Sequence, residues 1–134
     1  MSDNGLVTRQ SAHDVPTTLA RLTAALDAKG VTIFARIDHA AGAYSVGLTL
    51  RPTTVVIFGN PAAGTPLMQA AQTAGIDLPL KVLVWQGEDG IARLTYNDPA
   101  WIARRHGLGA EVARVADALA NALASFADTA TGEG

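Results

Sequence analysis

The sequence predicts an α+β domain: one sheet of about five strands, largely antiparallel, with helices packed against it and a C-terminal amphipathic helix. Three observations predict it. Short apolar runs rich in β-branched residues recur at Val31–Ile37, Thr53–Phe58 and Leu80–Gln86. The link Gly87-Glu88-Asp89-Gly90 joins the last of these to another strand-like run, a hairpin signature. Val112, Val115, Ala116, Leu119, Leu123 and Phe126 form one apolar stripe at helical spacing, with Glu111, Arg114, Asp117 and Asn121 off it.

The elements follow in order. Leu6–Gln10 reads as a short first strand. Asp14 is an N-cap candidate, because its carboxylate can accept a free N–H of a first helical turn, where Pro16 is tolerated. Val15, Leu19, Leu22 and Leu26 then share one helical face, and Gly30 supplies the stop. After the strand Val31–Ile37, a short helix is expected over His39–Val46. Thr53–Phe58 is apolar at every second position and between, which predicts a central strand covered on both faces. Gly59-Asn60-Pro61 turns out of it, and a short helix is expected over Thr65–Thr73, ending at Gly75. The hairpin strands are Leu80–Gln86 and Ile91–Tyr96. Asp98-Pro99 opens a helix that Gly107 ends, and the last helix starts at about Ala110 and runs to Phe126. One domain is expected over residues 5–128, with flexible tails at 1–4 and 129–134.

Composition narrows the function classes. The 134 residues include no cysteine, which removes disulfides, thiol catalysis and cysteine-rich zinc sites. A net charge of −2 and scattered basic residues argue against nucleic acid as a partner. No uncharged run approaches the roughly 20 residues of a membrane span, and the N-terminus lacks the pattern of a secretory leader, so a cytoplasmic location is expected.

Several motifs then repeat a known arrangement: Ile37-Asp38-His39-Ala40-Ala41-Gly42, Leu50-Arg51-Pro52-Thr53-Thr54, Ile57-Phe58-Gly59-Asn60-Pro61, Gly64-Thr65-Pro66-Leu67-Met68, Gly75-Ile76-Asp77-Leu78-Pro79-Leu80-Lys81, Tyr96-Asn97-Asp98-Pro99 and Arg105-His106. Their order and spacing resemble the bacterial and archaeal family called domain of unknown function 302, over about residues 5–108; the helix beyond reads as an extension. The resemblance implies a small α+β fold and pairing into homodimers, and it carries no established activity. Its recurring polar positions correspond here to Asp38, His39, Asn60, Gly64, Thr65, Asp77, Lys81, Tyr96, Asn97 and His106.

The same residues have chemical readings of their own. Asp38 and His39 end a strand, where an imidazole could serve as a base or ligand, but where capping of the next helix by both is the favoured reading. Gly59–Thr65 has the outline of a phosphate loop, but Thr65-Pro66 stands where a nucleotide loop has its lysine. An anion at the following helix start and a plain turn are the remaining readings. Lys81 in an apolar strand is either a perturbed amine or the partner of a carboxylate such as Asp77. Tyr96 and Asn97 leave a strand toward a helix and are ligand-contact candidates. His106 closes a helix, where its charge would suit the dipole. No histidine pair has the spacing of a helix-borne metal site, so no metal and no cofactor is expected.

These readings leave three function classes. The first is a module binding a small, anionic ligand through Asp38, His39, Asn60, Gly64, Thr65, Asp77, Lys81, Tyr96 and Asn97. The second is a homodimeric interaction domain without a ligand. The third is an enzyme using His39 and Lys81 as acid and base.

Overall fold

A computed structural model describes residues 4–133. The tails expected at residues 1–3 and at 134 lie outside the described residues. Five strands form one antiparallel sheet: β1 (Leu6–Gln10), β2 (Thr32–Asp38), β3 (Thr53–Gly59), β4 (Leu80–Gln86) and β5 (Ala92–Asn97), in the spatial order β1-β5-β4-β3-β2. Five helices accompany them: α1 (Val15–Ala28), α2 (His39–Ser45), α3 (Pro61–Ala70), α4 (Pro99–Arg105) and α5 (Ala110–Thr131), with a 3₁₀ turn at Gln72–Ile76 after α3.

Register explains which side chains meet, because directly opposed residues of an antiparallel pair share a face. Val56 opposes Val82, Val82 opposes Tyr96, and Val84 opposes Leu94. This face packs on Leu19, Leu22 and Leu26 of α1 and on Leu123, Phe126, Ala127 and Ala130 of α5. A smaller cluster joins Leu67 of α3 and Ala74 to Val112 of α5, with Leu119 against it.

The second face carries Val55, Leu83 and Thr95 in one row and Trp85 opposite Arg93 in the next. The Trp85 indole donates to Thr95 Oγ1 at 2.9 Å, and the Arg93 guanidinium lies over the indole, 5.6 Å from its centroid. The central strand β3 was expected to be covered on both faces. It is buried on one and only half-buried on the other, because α1 and α5 both lie on the first face.

Two departures from the expected boundaries go beyond a residue or two at a strand end. The turn at Gly59-Asn60-Pro61 and the helix expected from Thr65 are one unit: Asn60 caps a helix that already begins at Pro61 and accommodates Pro66 within it. Proline at the first helical position loses no hydrogen bond, so the chain can enter the helix at once. The segment from Thr129, expected to be loose, is the last turn of α5. Ala130 and Thr131 are buried there, and Ala12 N donates to Thr131 O at 2.8 Å. Small residues at Ala127 and Ala130 let that turn sit close to the core, a packing cue that the leucine stripe does not carry.

Candidate functional site

Antiparallel pairing separates the sequence candidates. Asp38 opposes Thr54 at the start of β3, whereas Asn60 follows the end of that strand. Asp38 and His39 therefore sit at the opposite end of the sheet from Asn60, Gly64 and Thr65. Asp38 Oδ1 accepts from Ala41 N at 2.9 Å, so it caps α2, and His39 is exposed in the first turn. Lys81 opposes Ile57 on the second face, while the Asp38–Thr54 pair belongs to the first. The pairing of His39 with Lys81 as acid and base lacks a shared location.

Lys81 does not pair with the Asp77 carboxylate as expected. Its Nζ donates to the Asp77 main-chain carbonyl at 3.4 Å. The carboxylate instead holds α4: Arg105 donates to Oδ1 at 3.0 Å, and His106 Nε2 lies 2.6 Å from Oδ2. His106 Nδ1 is 2.9 Å from Thr73 Oγ1. A neutral ring with its proton on Nε2 donates to Asp77 and accepts from Thr73. His106 is therefore a half-buried tie between α4 and the 3₁₀ turn, beyond the dipole role that its place at a helix end suggested. The Arg105 guanidinium also stacks over Trp101.

Tyr96 is part of the core, and burial pushes its phenol above the ordinary value, so it stays protonated at neutral pH. Asn97 ends β5 opposite Leu6. Neither shares a cleft with Asn60.

Asn60, Gly64 and Thr65 do come together. They line a cleft of about 810 Å³ between the Gly59 end of the sheet, α3 and the middle of α5. The size is that of a small-molecule site. Its chemistry differs from the expected anion loop. Pro61 has no N–H, Ala62 N donates to Asn60 Oδ1 at 2.9 Å, and Ala63 N and Gly64 N donate to Asn60 O at 2.9 and 3.2 Å. The helix start thus has its first-turn donors engaged within the chain, and the phosphate-loop outline is a capped helix.

The walls of the cleft are apolar. Phe58 and Phe126 meet edge to face, with centroids 6.3 Å apart at 81°, and Leu78, Leu80, Met68 and Leu119 continue the lining. Pro79, joined to Leu78 by a cis peptide, adds to it. Phe34 enters from β2, where the register shifts between Ile33 and Ala35 and leaves this residue outside the pairing. Small residues at Gly59, Ala63, Gly64 and Ala122 leave the volume open. A Cβ at Gly64 would meet Leu78 at ordinary contact distance, 3.7 Å, so a larger side chain there points into the lining. Among the described residues Lys29, just after α1, is the one charged residue of the lining.

Sequence reasoning missed these apolar residues because none of them stands out within its own segment. The available signal was the run of small residues at Gly59, Ala63 and Gly64 facing long apolar stripes. Among the described residues, no group of three potential metal ligands gathers anywhere, and no helix is long and apolar enough to cross a membrane.

Comparison with known proteins places this fold. Residues 7–126 match the family model described as "Domain of unknown function DUF302". The crystal structure of an uncharacterized conserved DUF302 protein from Bacillus stearothermophilus superposes with a TM-score of 0.83. It covers 94% of this chain and 98% of that one at 18% identity, a likeness of fold. Two proteins named "Fluoride-specific ion channel FluC 1", from Brucella suis biovar 1 (strain 1330) and Brucella abortus biovar 1 (strain 9-941), are each 50% identical over 107 residues, which is 80% of this chain. The chain spans 42% and 40% of their lengths.

Proposed function

We propose that this chain, which belongs to the DUF302 family, is a binding module for a small, largely apolar molecule. The cleft beside Asn60, Gly64 and Thr65 carries this reading: it has the volume of a ligand site, apolar walls and a few polar groups to orient an occupant. Asp38, His39, Asp77, Lys81, Tyr96 and Asn97 act as caps, ties or core residues in this reading. A thermal-shift screen of apolar metabolites against the native chain and Ala122→Phe tests it. Ligands should raise the native melting temperature and lose their effect when the Phe ring fills the cleft. A screen without a hit, or hits indifferent to Ala122→Phe, would remove the cleft as a site.

A second reading concerns partners. We propose that the domain pairs with a second copy of itself. Tyr44, Val46 and Leu48 are 83%, 71% and 63% exposed, and Leu50 and Ile37 are also open, Ile37 opposite Val55 on the half-buried second face of the sheet. Such patches are uncommon on monomers, and a stable interface should bury about 1,000 Å² or more. Light scattering should give a dimer that Tyr44→Glu with Leu48→Glu converts to monomer; a native monomer at micromolar concentration would defeat the idea. The likeness to the channels supports a further setting, in which the domain serves a fluoride channel as a partner. Fluoride efflux that is unaltered by adding or deleting the domain would argue against that setting.

A further inference from the structure

We propose that the occupant of the cleft is an amphipathic monoanion: an apolar body with one carboxylate at its end. The inference rests on the binding reading above and adds the ligand's chemistry. The depth of the cleft is apolar, and its hydrogen-bonding groups all lie shallow. Phe58 and Phe126 are buried and form its base, and Leu78 and Leu80 are half-buried above them. The uncharged hydrogen-bonding groups of the lining, Asn60, Thr65, Asn121 and Ser125, are all exposed and so belong to the mouth.

Among the described residues one charge stands at that mouth, the exposed Lys29, and no carboxylate belongs to the lining. Among the described residues Lys29 has no ion-pair partner, unlike Arg9, Arg93 and Arg105, which hold Asp128, Asp89 and Asp77. An uncharged apolar ligand would leave this ammonium unused, and an ammonium-headed ligand would meet it as a like charge. A carboxylate-headed ligand places its apolar body against the phenylalanines and its anion in water beside Lys29. The apolar body supplies most of the affinity, and the lysine supplies selectivity for the head group.

The test is calorimetric titration of the full chain, near neutral pH and below micellar concentrations, with decanoate, decanol and decylamine. All three share one apolar body. Decanoate should bind about two- to fivefold more tightly than decanol, the ratio expected of a solvent-exposed ion pair, and decylamine more weakly than either. Lys29→Gln should bring decanoate and decanol level, and Lys29→Glu should reverse the order, with melting temperatures close to the native value because the side chain is exposed. Equal binding of decanoate and decanol to the native chain, unaltered by Lys29→Glu, would overturn the head-group assignment and leave the apolar site standing. No binding of any of the three, or binding indifferent to Ala122→Phe, would remove the site and the inference with it.

Discussion

Replacing Phe126 by alanine separates the contribution of the cleft floor to stability from that of the helix around it. The ring is 9% exposed, belongs to the main core cluster and meets Phe58 edge to face. Truncating a buried aromatic to alanine costs about 3–5 kcal/mol, of which the ring pair contributes roughly 0.5–1.5. One side of Phe126 already borders the open cleft, so the space left behind joins solvent-accessible volume instead of becoming a sealed void. The expected loss is therefore near the lower bound, about 3 kcal/mol. That is a large share of the roughly 5–15 kcal/mol that holds a domain folded, and corresponds to a fall of about 10–15 °C in melting temperature. Urea unfolding followed by far-UV circular dichroism should show a lower midpoint with an unchanged slope. Ser125→Ala, an exposed neighbour in the same turn, should stay within about 0.5 kcal/mol. A loss for Phe126→Ala below about 1 kcal/mol would refute the reasoning, since it would mean that α5 does not seat this ring against the sheet.

Three other outcomes are expected. Gly5 is buried at φ +79° and a Cβ there would run into the Trp101 indole, so Gly5→Ala should cost about 2–4 kcal/mol in urea unfolding. Asp77→Ala leaves the His106 ring without its acceptor under a side chain that is 7% exposed, and should cost about 1–3 kcal/mol by the same measurement. The hydrogen bond from Thr17 holds the Asp14 carboxyl below its ordinary value of 3.8, and Arg93 holds Asp89 far below it. Carboxyls depressed in the folded state add stability above the unfolded value and lose it as pH falls through the folded one. The native melting temperature should thus drop below about pH 4 more steeply than that of Asp14→Asn with Asp89→Asn; parallel curves would contradict the assignment.

The sheet was the most legible part of the sequence, for a physical reason. β4 and β5 are joined by a short link, residues 87–91, whose Gly90 takes φ +81°, a conformation that glycine adopts freely. Helix starts were legible at Asp14 and Asp98, where a side-chain oxygen does accept from the first turn. The start of α3 was not, because the same local chemistry, Gly-Asn-Pro, serves a turn and an N-cap equally well. The site was the least legible. Polar residues near strand ends invite a functional reading, yet Asp38 is satisfied by the helix N–H that its spacing offered, and Asp77 and Tyr96 by partners that local spacing cannot reveal: an arginine and a histidine 28 and 29 residues away, and the core. The apolar cleft depends on which faces of β3, α3 and α5 meet, and that is a property of the whole topology.

Helix α5 belongs to two hydrophobic clusters at once. Its C-terminal half, Leu123 to Ala130, packs with the sheet and α1, and its N-terminal half, Val112 to Leu119, packs with α3 and the 3₁₀ turn. The cleft lies along the seam between them, reached by Leu119 from one cluster and Phe126 from the other. A domain divided in this way need not open as one unit. The smaller cluster has little buried area of its own, so α3 and the start of α5 can detach while the strands stay paired, and their amide protons should exchange through that partial opening before those of β3 and β4. An occupant lodged across the seam would touch both halves, raise the free energy of that opening, and merge two cooperative units into one.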